Sequence, residues 1–226
     1  MSHLLFDFFG TLVDYDDGHA RSPSESAAMA GALLGQPLTA AEFTERWDVA
    51  WASWEVRCAP SHREFSMLDV AGSFLPGVPP ASVEAFIGLY IAEWNAGVRY
   101  LPGIRDLLAS LARTHRLAVV SNTHEPDLVP AHLAAMGVAD LVDTVVTSVE
   151  VGVRKPSPTI YAEALSRLGI GADSAVFVGD NPTADYFGPR AVGMRAYLVD
   201  PAARHSTVPP AHRLSSVFDL PVALLI

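Results

Sequence analysis

Apolar positions in the C-terminal half of the chain form short runs that alternate with helix-like patterns. Strands are predicted at 117–121, 144–147, 175–179 and 196–199, and helices at 104–114, 128–136, 159–168 and 183–191. A further apolar run, 4–8, lies near the N-terminus. Near-continuous apolar strands separated by helices are typical of a parallel sheet that is covered on both faces. The sequence therefore predicts an α/β core.

The segment that follows the first predicted strand has helical patterns only. Helices are predicted at 24–34, 39–57, 63–74 and 82–95, each bounded by Pro or Gly, and no β-rich run interrupts them. Thr39 and Glu42 have the spacing of a capping box. We therefore predict a helical insert over 14–98 and a core formed by 1–13 and 99–226.

Three tryptophans of the insert, Trp47, Trp51 and Trp54, recur at intervals of four and three residues. This spacing places them on one helix face. They form either a hydrophobic stripe buried within the insert or an aromatic lid over a pocket, and the pattern fits both.

Composition narrows the class of protein. In 226 residues, 50% are hydrophobic and 18% are charged, which excludes a disordered chain. No apolar run reaches 18 residues and the N-terminus has no basic region, so we expect no membrane span and no secretory signal. Cys58 is the only cysteine, which excludes a cysteine zinc cluster and favours a cytoplasmic protein. The net charge of −10 argues against nucleic acid as a partner. Oligomeric state stays open.

Polar residues follow the predicted strands at the points where the strands end. In an open parallel sheet, ligands bind at the carboxyl ends of the strands, so these residues are expected to converge. Lys155 stands out because it is the only lysine in the chain. Two carboxylates five residues apart, Asp180 and Asp185, could bind a hard cation and orient that lysine. The other residues at strand ends are Asp7, Ser121 and Asn122.

In this order, the motifs resemble those of the haloacid dehalogenase-like (HAD) hydrolase superfamily. That family has an Asp in a D-x-x-G-T turn, a Ser or Thr after the second core strand, a Lys before Pro, and a G-D-x-x-x-x-D turn. The matching residues here are Asp7 with Gly10 and Thr11, Ser121 with Asn122, Lys155 with Pro156, and Gly179 with Asp180 and Asp185. The resemblance implies an α/β fold with a Rossmann-like parallel-sheet core and a helical cap domain.

The resemblance also implies roles. Asp7 would be the nucleophile of an aspartyl intermediate, and Mg²⁺ would be held by Asp7, Asp180 and the backbone carbonyl of Phe9. The implied catalytic residues are Asp7, Ser121, Lys155 and Asp185. The implied substrate-binding residues are Thr11, Ser121, Asn122 and Lys155. The substrate would be a small anionic molecule.

Phe9 departs from the phosphatase pattern, in which a second Asp protonates the leaving group. General acid–base help is typically worth about 10²–10⁴-fold in rate. By resemblance, 2-haloacid dehalogenases carry an aromatic residue here, since halide leaves without a proton, but they usually lack the Gly-Asp of the last motif. Gly179 and Asp180 are present in this chain. The first motif is thus dehalogenase-like, and the last is phosphatase-like.

Three functions remain open on sequence grounds. The favoured one is Mg²⁺-dependent hydrolysis of a small phosphorylated metabolite, with Asp14, His19 or His124 as substitutes for the missing acid. The second is 2-haloacid dehalogenation, with Arg46 or Arg57 holding the substrate carboxylate. The third is a non-catalytic homologue that binds metal and phosphate. Phosphonate cleavage through a cap lysine is excluded, because the insert contains no lysine.

Overall fold

The chain folds into two compact units. The computed structural model describes residues 3–15 and 24–225. The first unit comprises Met1–Asp14 with Tyr100–Ile226, and the second is Tyr15–Arg99. The predicted boundaries, after residues 13 and 98, each lie one residue earlier. The role of the second unit as a cap stays a prediction.

Strands and helices alternate through the first unit. The strands of the described residues are β1 (His3–Phe6), β2 (Val13–Tyr15), β3 (Val98–Tyr100), β4 (Arg116–Ser121), β5 (Thr144–Thr147), β6 (Ala175–Gly179), β7 (Arg195–Val199) and β8 (Arg213–Leu214). The α-helices are α1 (Ser24–Leu33), α2 (Ala40–Cys58), α3 (Met67–Phe74), α4 (Pro80–Asn95), α5 (Ile104–Leu111), α6 (Leu128–Ala135), α7 (Ser148–Val151), α8 (Pro158–Leu168), α9 (Gly188–Ala191) and α10 (Leu220–Ala223).

Six of these strands form one sheet in the order β5-β4-β1-β6-β7-β8, and every pair in it is parallel. β2 and β3 pair separately as a two-stranded sheet. This arrangement confirms the predicted α/β, Rossmann-like parallel sheet. The chain proceeds outward from β1 through β4 to β5, then returns beside β1 with β6. That reversal is a topological switch point, where open α/β sheets bind ligands.

Strand β1 is central because its side chains suit burial on both faces. Leu4, Leu5 and Phe6 are at most 1% exposed. The neighbouring strands contribute further apolar side chains, such as Ala118 and Phe177, and α8 contributes Ile160 to the same core. Burial of a residue the size of leucine contributes about 1.5–3 kcal/mol. The polar residues that follow these strands are therefore fixed by a packed layer beneath them.

The predicted helix at 183–191 is wrong in its first half. Residues Pro182–Phe187 form a π-helical turn, and the α-helix α9 begins only at Gly188. The Asn181 side chain accepts hydrogen bonds from the N–H groups of Thr183 and Ala184, both at 3.0 Å. This side-chain cap sets the entry to the turn, which apolar periodicity could not reveal.

The second unit contains α1 to α4 around its own aromatic core. Phe43, Trp47, Phe74 and Phe86 are buried together, with ring centroids of Phe43 and Phe74 5.3 Å apart. Of the two alternatives for the tryptophan stripe, burial within the insert matches this packing. Trp51 and Trp54 lie against Phe65.

Helix ends in the second unit are set by capping side chains. The predicted capping box of Thr39 and Glu42 is present. A second box, Ser66 with Asp69, starts α3 at Met67 rather than at the predicted residue 63. Glu93 of α4 accepts hydrogen bonds from the first turn of α1, including the Glu25 N–H at 2.9 Å. That contact ties two helices that are distant in sequence.

Among the described residues, no helix has the length and apolar character that crossing a membrane requires.

Candidate active site

The polar residues at the strand ends meet at the switch point. Asp7 follows β1, and its N–H donates to the carbonyl of Val178 in β6 at 2.9 Å. Asp180 comes directly after β6. Carboxylate oxygens of Asp7, Asp180 and Asp185 all lie within 4.8 Å of one another. The expected convergence of these three side chains is therefore present.

Lys155 joins two of the three carboxylates. Its Nζ donates to Asp7 Oδ1 and to Asp185 Oδ1, each at 2.7 Å. Lys155, Asp7 and Asp185 are 3%, 7% and 1% exposed. Water competes little at such burial, so these are the strong, charge-assisted class of hydrogen bond. The ammonium is held between the end of β1 and the turn after β6.

Both oxygens of Asp185 are engaged within the protein. Oδ1 accepts from Lys155, and Oδ2 accepts from the Asn181 N–H at 2.9 Å. Asp185 is therefore placed to orient the lysine, the role that its spacing from Asp180 suggested. Asp7 is better placed to bind a cation, since only its Oδ1 accepts a short hydrogen bond and its Oδ2 has one long contact at 3.4 Å. Asp180 lies beside it, with its carboxylate close to that of Asp7.

Two glycines allow this close approach of charged groups. Gly10 has φ of 81°, and a Cβ at this position would overlap the Asp180 carboxylate. A Cβ on Gly179 would similarly overlap the side chain of Asp185. The left-handed conformation costs a non-glycine residue about 1–2 kcal/mol. The glycines of the first and last motifs, Gly10 and Gly179, are thus required because a side chain there would overlap a carboxylate of the site.

Thr11 contacts the nucleophile candidate Asp7, and Ser121 ends the neighbouring strand β4. The Thr11 hydroxyl donates to Asp7 Oδ2 at a long 3.4 Å, and Thr11 is 1% exposed. Ser121, also 1% exposed, is the last residue of β4, and its Oγ lies 3.5 Å from the Asn122 carbonyl. Substrate contacts for these hydroxyls stay a prediction.

Asn122 holds the backbone of Lys155. Its Oδ1 accepts from the Lys155 N–H at 2.8 Å, and its Nδ2 donates to the Lys155 carbonyl at 3.1 Å. The Asn122 amide thus binds both backbone polar groups of one residue, Lys155. Asn122 fixes where the lysine emerges, a contact that the sequence did not suggest. Its predicted role in substrate binding stays a prediction.

The cluster carries more negative charge than one ammonium balances. Burial raises the pKa of Asp7 to about 7; Lys155 opposes this, while Asp185 and Asp180 reinforce it. Burial and Asp185 likewise raise the pKa of Asp180 to about 6. Burial acts against the charge of Lys155, but the carboxylates of Asp185 and Asp7 raise its pKa above the ordinary value. A divalent cation between Asp7 and Asp180 would relieve this imbalance.

Phe9 belongs to an aromatic group that the sequence did not reveal. Its ring lies edge-on to Phe8, with centroids 4.9 Å apart, and near the ring of His132 at 6.1 Å. His132 stacks on Phe8, and its Nδ1 shares a hydrogen bond with the Tyr100 hydroxyl at 3.0 Å. Burial lowers the pKa of His132. His132 lies within helix α6 without a motif around it, so no sequence signal could have found it.

The remaining candidates fall in different places. Asp14 is exposed, and His124 is half-buried. His19 lies outside the described residues. In the second unit, Arg46 is exposed, while Arg57 lies over the Trp54 ring at 4.2 Å. Arg57 is thus occupied within its own helix, so nothing in its contacts favours a substrate carboxylate.

Comparison with known proteins defines the family. The model of the haloacid dehalogenase-like hydrolase family matches residues 1–193, so the chain belongs to this family of hydrolases. The resemblance inferred from the sequence is confirmed.

Curated relatives differ in how much of the chain they share. Haloacid dehalogenase-like hydrolase domain-containing protein 3 of Danio rerio is 42% identical over 35% of this chain, and the match spans only 34% of that protein. Ribulose-1,5-bisphosphate 5-phosphatase of Halopiger xanaduensis is 28% identical, covering 94% of this chain and 90% of its own. Phosphoglycolate phosphatase of Pectobacterium atrosepticum is 30% identical, covering 84% and 79%.

Solved structures share the fold over nearly the whole chain. A HAD phosphatase from Thermococcus onnurineus superposes with a TM-score of 0.73 at 22% identity, covering 99% of this chain and 98% of that one. A 2-haloacid dehalogenase from Pseudomonas syringae gives 0.72 at 24% identity, covering 100% and 99%. The fold therefore accommodates both chemistries, and the choice between them depends on the site.

Proposed function

We propose that this hydrolase is a Mg²⁺-dependent phosphatase of a small phosphorylated metabolite, that Asp7 is its nucleophile, and that it acts in the cytoplasm, as its composition suggests. The observation that carries the proposal is the position of Asp180 beside Asp7. Two curated relatives that match most of the chain are named as phosphatases of small phosphorylated compounds, which supports the substrate class.

The donor set fits Mg²⁺. Hard divalent cations bind carboxylate and carbonyl oxygens, and Asp7 and Asp180 offer carboxylates at the end of adjacent strands. The carbonyl of Phe9 is the third proposed ligand, as the family pattern implies. When bound, the ion would offset the charge of the carboxylates and polarise the phosphoryl oxygens.

The protein's own groups account for the attack. Asp7 Oδ1 is held by Lys155, and Oδ2 has one long hydrogen bond from Thr11. Oδ2 is therefore the oxygen we assign to attack phosphorus. The bond from phosphorus to the leaving oxygen breaks, and an aspartyl-phosphate forms on Asp7. Water then attacks this phosphorus, which releases phosphate and restores the carboxylate.

Lys155 and the hydroxyls supply the remaining stabilisation. The ammonium at 2.7 Å opposes the rise in the pKa of Asp7 that burial causes, and we assign it to the charge that develops on the transferred group. We assign Ser121 and Thr11 as further donors to that group. Asp185 orients the ammonium, and Asn122 fixes its backbone.

Phe9 sets a limit on the leaving group, because its side chain has no proton to give. We expect alkyl phosphates, whose leaving alkoxide needs a proton, to react much more slowly than p-nitrophenyl phosphate. Phe9→Asp should raise the rate on an alkyl phosphate by about 10²–10⁴-fold and the rate on p-nitrophenyl phosphate much less. Equal gains on both substrates would contradict this explanation. Phe9→Leu is the control for loss of the ring.

Dehalogenation is the second candidate, and Phe9 is the observation that favours it. In that reaction an oxygen of Asp7 attacks the carbon that bears the halogen, halide leaves with the bonding electrons, and water hydrolyses the ester. No proton is required by the leaving group.

One panel of substrates tests the proposal against this alternative. Phosphate and halide release are measured with Mg²⁺ and with chelator, in the wild type and in Asp7→Asn. We expect phosphate release that requires Mg²⁺ and disappears in Asp7→Asn. Halide release in chelator would favour the dehalogenase. Phosphate release that survives Asp7→Asn would overturn the assignment of the nucleophile, and binding without any turnover would indicate the non-catalytic homologue.

A further inference from the structure

A polar cavity opens beside Asp180. Its volume is about 230 Å³. Gly10, Thr11 and Asp180 line it, and these residues also border Asp7. A molecule whose reacting group lies at Asp7 can therefore extend into this cavity.

The far wall of the cavity is a loop that follows β7. Asp200, Arg204 and His205 belong to this loop and line the cavity. The Asp200 carboxylate accepts hydrogen bonds from the backbone N–H groups of Arg204 and His205, each at 3.0 Å. Ala203 has φ of 51°, in the left-handed region that non-glycine residues rarely adopt. Residues in such conformations concentrate at ligand sites.

The loop leaves its basic side chains available. Both carboxylate oxygens of Asp200 accept hydrogen bonds from backbone N–H groups, and neither pairs with the Arg204 guanidinium. Within the described part of the chain, that guanidinium has no hydrogen bond or ion pair with another side chain. Arg213 lies behind the loop, 3.5 Å from the Ala203 carbonyl. His205 and Arg213 thus lie near enough to the Asp200 carboxylate to lower its pKa.

The basic side chains of this loop contrast with the acidic character of the chain as a whole. The chain has 25 acidic and 15 basic residues, so a basic group at a cavity wall is a local exception. Asp180 and Asp14 also line the cavity. The proposed Mg²⁺ would compensate the charge of Asp180, while Asp14 is exposed, so water and salt screen its charge. An anion in the cavity would then face a cation on one side and Arg204 on the other.

We infer that this cavity, lined by Arg204 and His205, binds a second anionic group of the substrate, at the end remote from the phosphoryl group that Asp7 attacks. This inference rests on the proposed phosphatase function and adds a substrate class to it. The preferred substrates carry a carboxylate or a second phosphate a few bonds away from the reacting phosphate. Planar guanidinium donors suit both groups.

Two matched pairs of compounds test the inference. The first pair is 2-phosphoglycolate and 2-hydroxyethyl phosphate, which differ in the terminal carboxylate. The second is propane-1,3-diol bisphosphate and 3-hydroxypropyl phosphate, which differ in the second phosphate. Arg204→Gln should lower kcat/KM for the doubly anionic member by about 10- to 150-fold, the equivalent of losing a charge-assisted hydrogen bond. It should change the singly phosphorylated member less than twofold.

Arg113→Gln is the control, because this exposed arginine precedes β4 at the opposite, amino edge of the sheet. It removes the same charge and should affect both members equally. If Arg204→Gln lowers kcat/KM selectively in the first pair, the cavity binds a carboxylate. If it does so in the second pair, the cavity binds a phosphate. The inference would be overturned if Arg204→Gln affected both members of each pair equally and the double variant Arg204→Gln/His205→Gln did so too.

A binding measurement separates this inference from the proposed function. The same four compounds are titrated calorimetrically into full-length Asp7→Asn protein with Mg²⁺, alone and combined with Arg204→Gln. Selective loss of affinity for the doubly anionic members supports the cavity site even if no compound is hydrolysed. Phosphate release by the wild type without such selectivity would retain the proposed function and refute the cavity site.

Discussion

Replacing Lys155 with methionine should destabilise the protein far more than replacing any exposed basic residue. Methionine keeps most of the length of the side chain but removes the ammonium. Asp7 and Asp185, now 2.7 Å from Nζ, would keep their places in the core without a cation between them. Both are less than a tenth exposed. Water could therefore solvate neither carboxylate well.

The cost can be worked from the geometry. Removing one partner of a buried ion pair typically costs about 3–5 kcal/mol, because the charge left behind is uncompensated. For a protein of this size, 1 kcal/mol shifts the Tm by about 2–4 °C. Lys155→Met should thus lower the Tm by about 6–20 °C. The loss should grow as pH rises above about 7, because the pKa of Asp7 is about 7 with the ammonium present and rises further when Lys155, which lowers it, is removed.

The assay is thermal and urea unfolding in chelator, so that no divalent cation replaces the ammonium. Arg113→Met serves as the control, and as a surface change it should stay within about 0.5 kcal/mol of the wild type. Lys155→Met/Asp185→Asn should be more stable than Lys155→Met alone, because one stranded charge is removed. A loss below about 1 kcal/mol for Lys155→Met, or additive effects in the double variant, would refute the reasoning.

Three further changes test other parts of the structure. Gly10→Ala should cost about 1–2 kcal/mol from backbone strain and, by displacing Asp180, weaken Mg²⁺ binding in a calorimetric titration; unchanged Mg²⁺ affinity would contradict the predicted overlap. Glu93→Ala should lower the stability to urea by about 0.5–2 kcal/mol through the lost helix cap, whereas Glu84→Ala, exposed on the same helix, should not. Asp200→Asn should lower the Tm at neutral pH: burial opposes ionisation, but backbone N–H groups and nearby basic charges lower the pKa of Asp200 below its ordinary value. That Tm difference should hold from pH 8 to 5 and shrink only below about pH 3.9, where the carboxylate takes up a proton; a difference that already shrinks between pH 7 and 5 would be inconsistent with a lowered pKa.

The sequence was most informative about the sheet. Strands β5 and β6 have the predicted bounds, and β4 and β7 each begin one residue early. Buried parallel strands leave continuous apolar runs, so their position and the residues at their ends can be predicted together. β8 was missed because two residues, Arg213 and Leu214, are too short to leave a pattern.

Contacts made by side chains were much harder to predict. The spacing of Asp180 and Asp185 suggested that one of them orients Lys155. The turn that brings Asp185 to the lysine is the π-helical turn at Pro182–Phe187, which depends on a hydrogen-bonding asparagine rather than on periodicity. The hydrogen bonds between the Asn122 amide and the Lys155 backbone were likewise not predicted, because the two residues are 33 positions apart in the sequence. Such contacts are properties of the folded arrangement, and single-sequence patterns carry no record of them.

The presence of just one lysine gives the protein an unusual chemical property. Acylating reagents that modify primary amines can react only with the α-amino group and with Lys155 Nζ. Because Nζ is buried and paired with two carboxylates, the folded protein protects it. In intact mass spectra after a brief labelling pulse, the fraction of molecules with an acyl group on Lys155 would therefore report how often the site around this lysine opens. Native chemistry thus provides a built-in reporter of local opening, with no engineered probe.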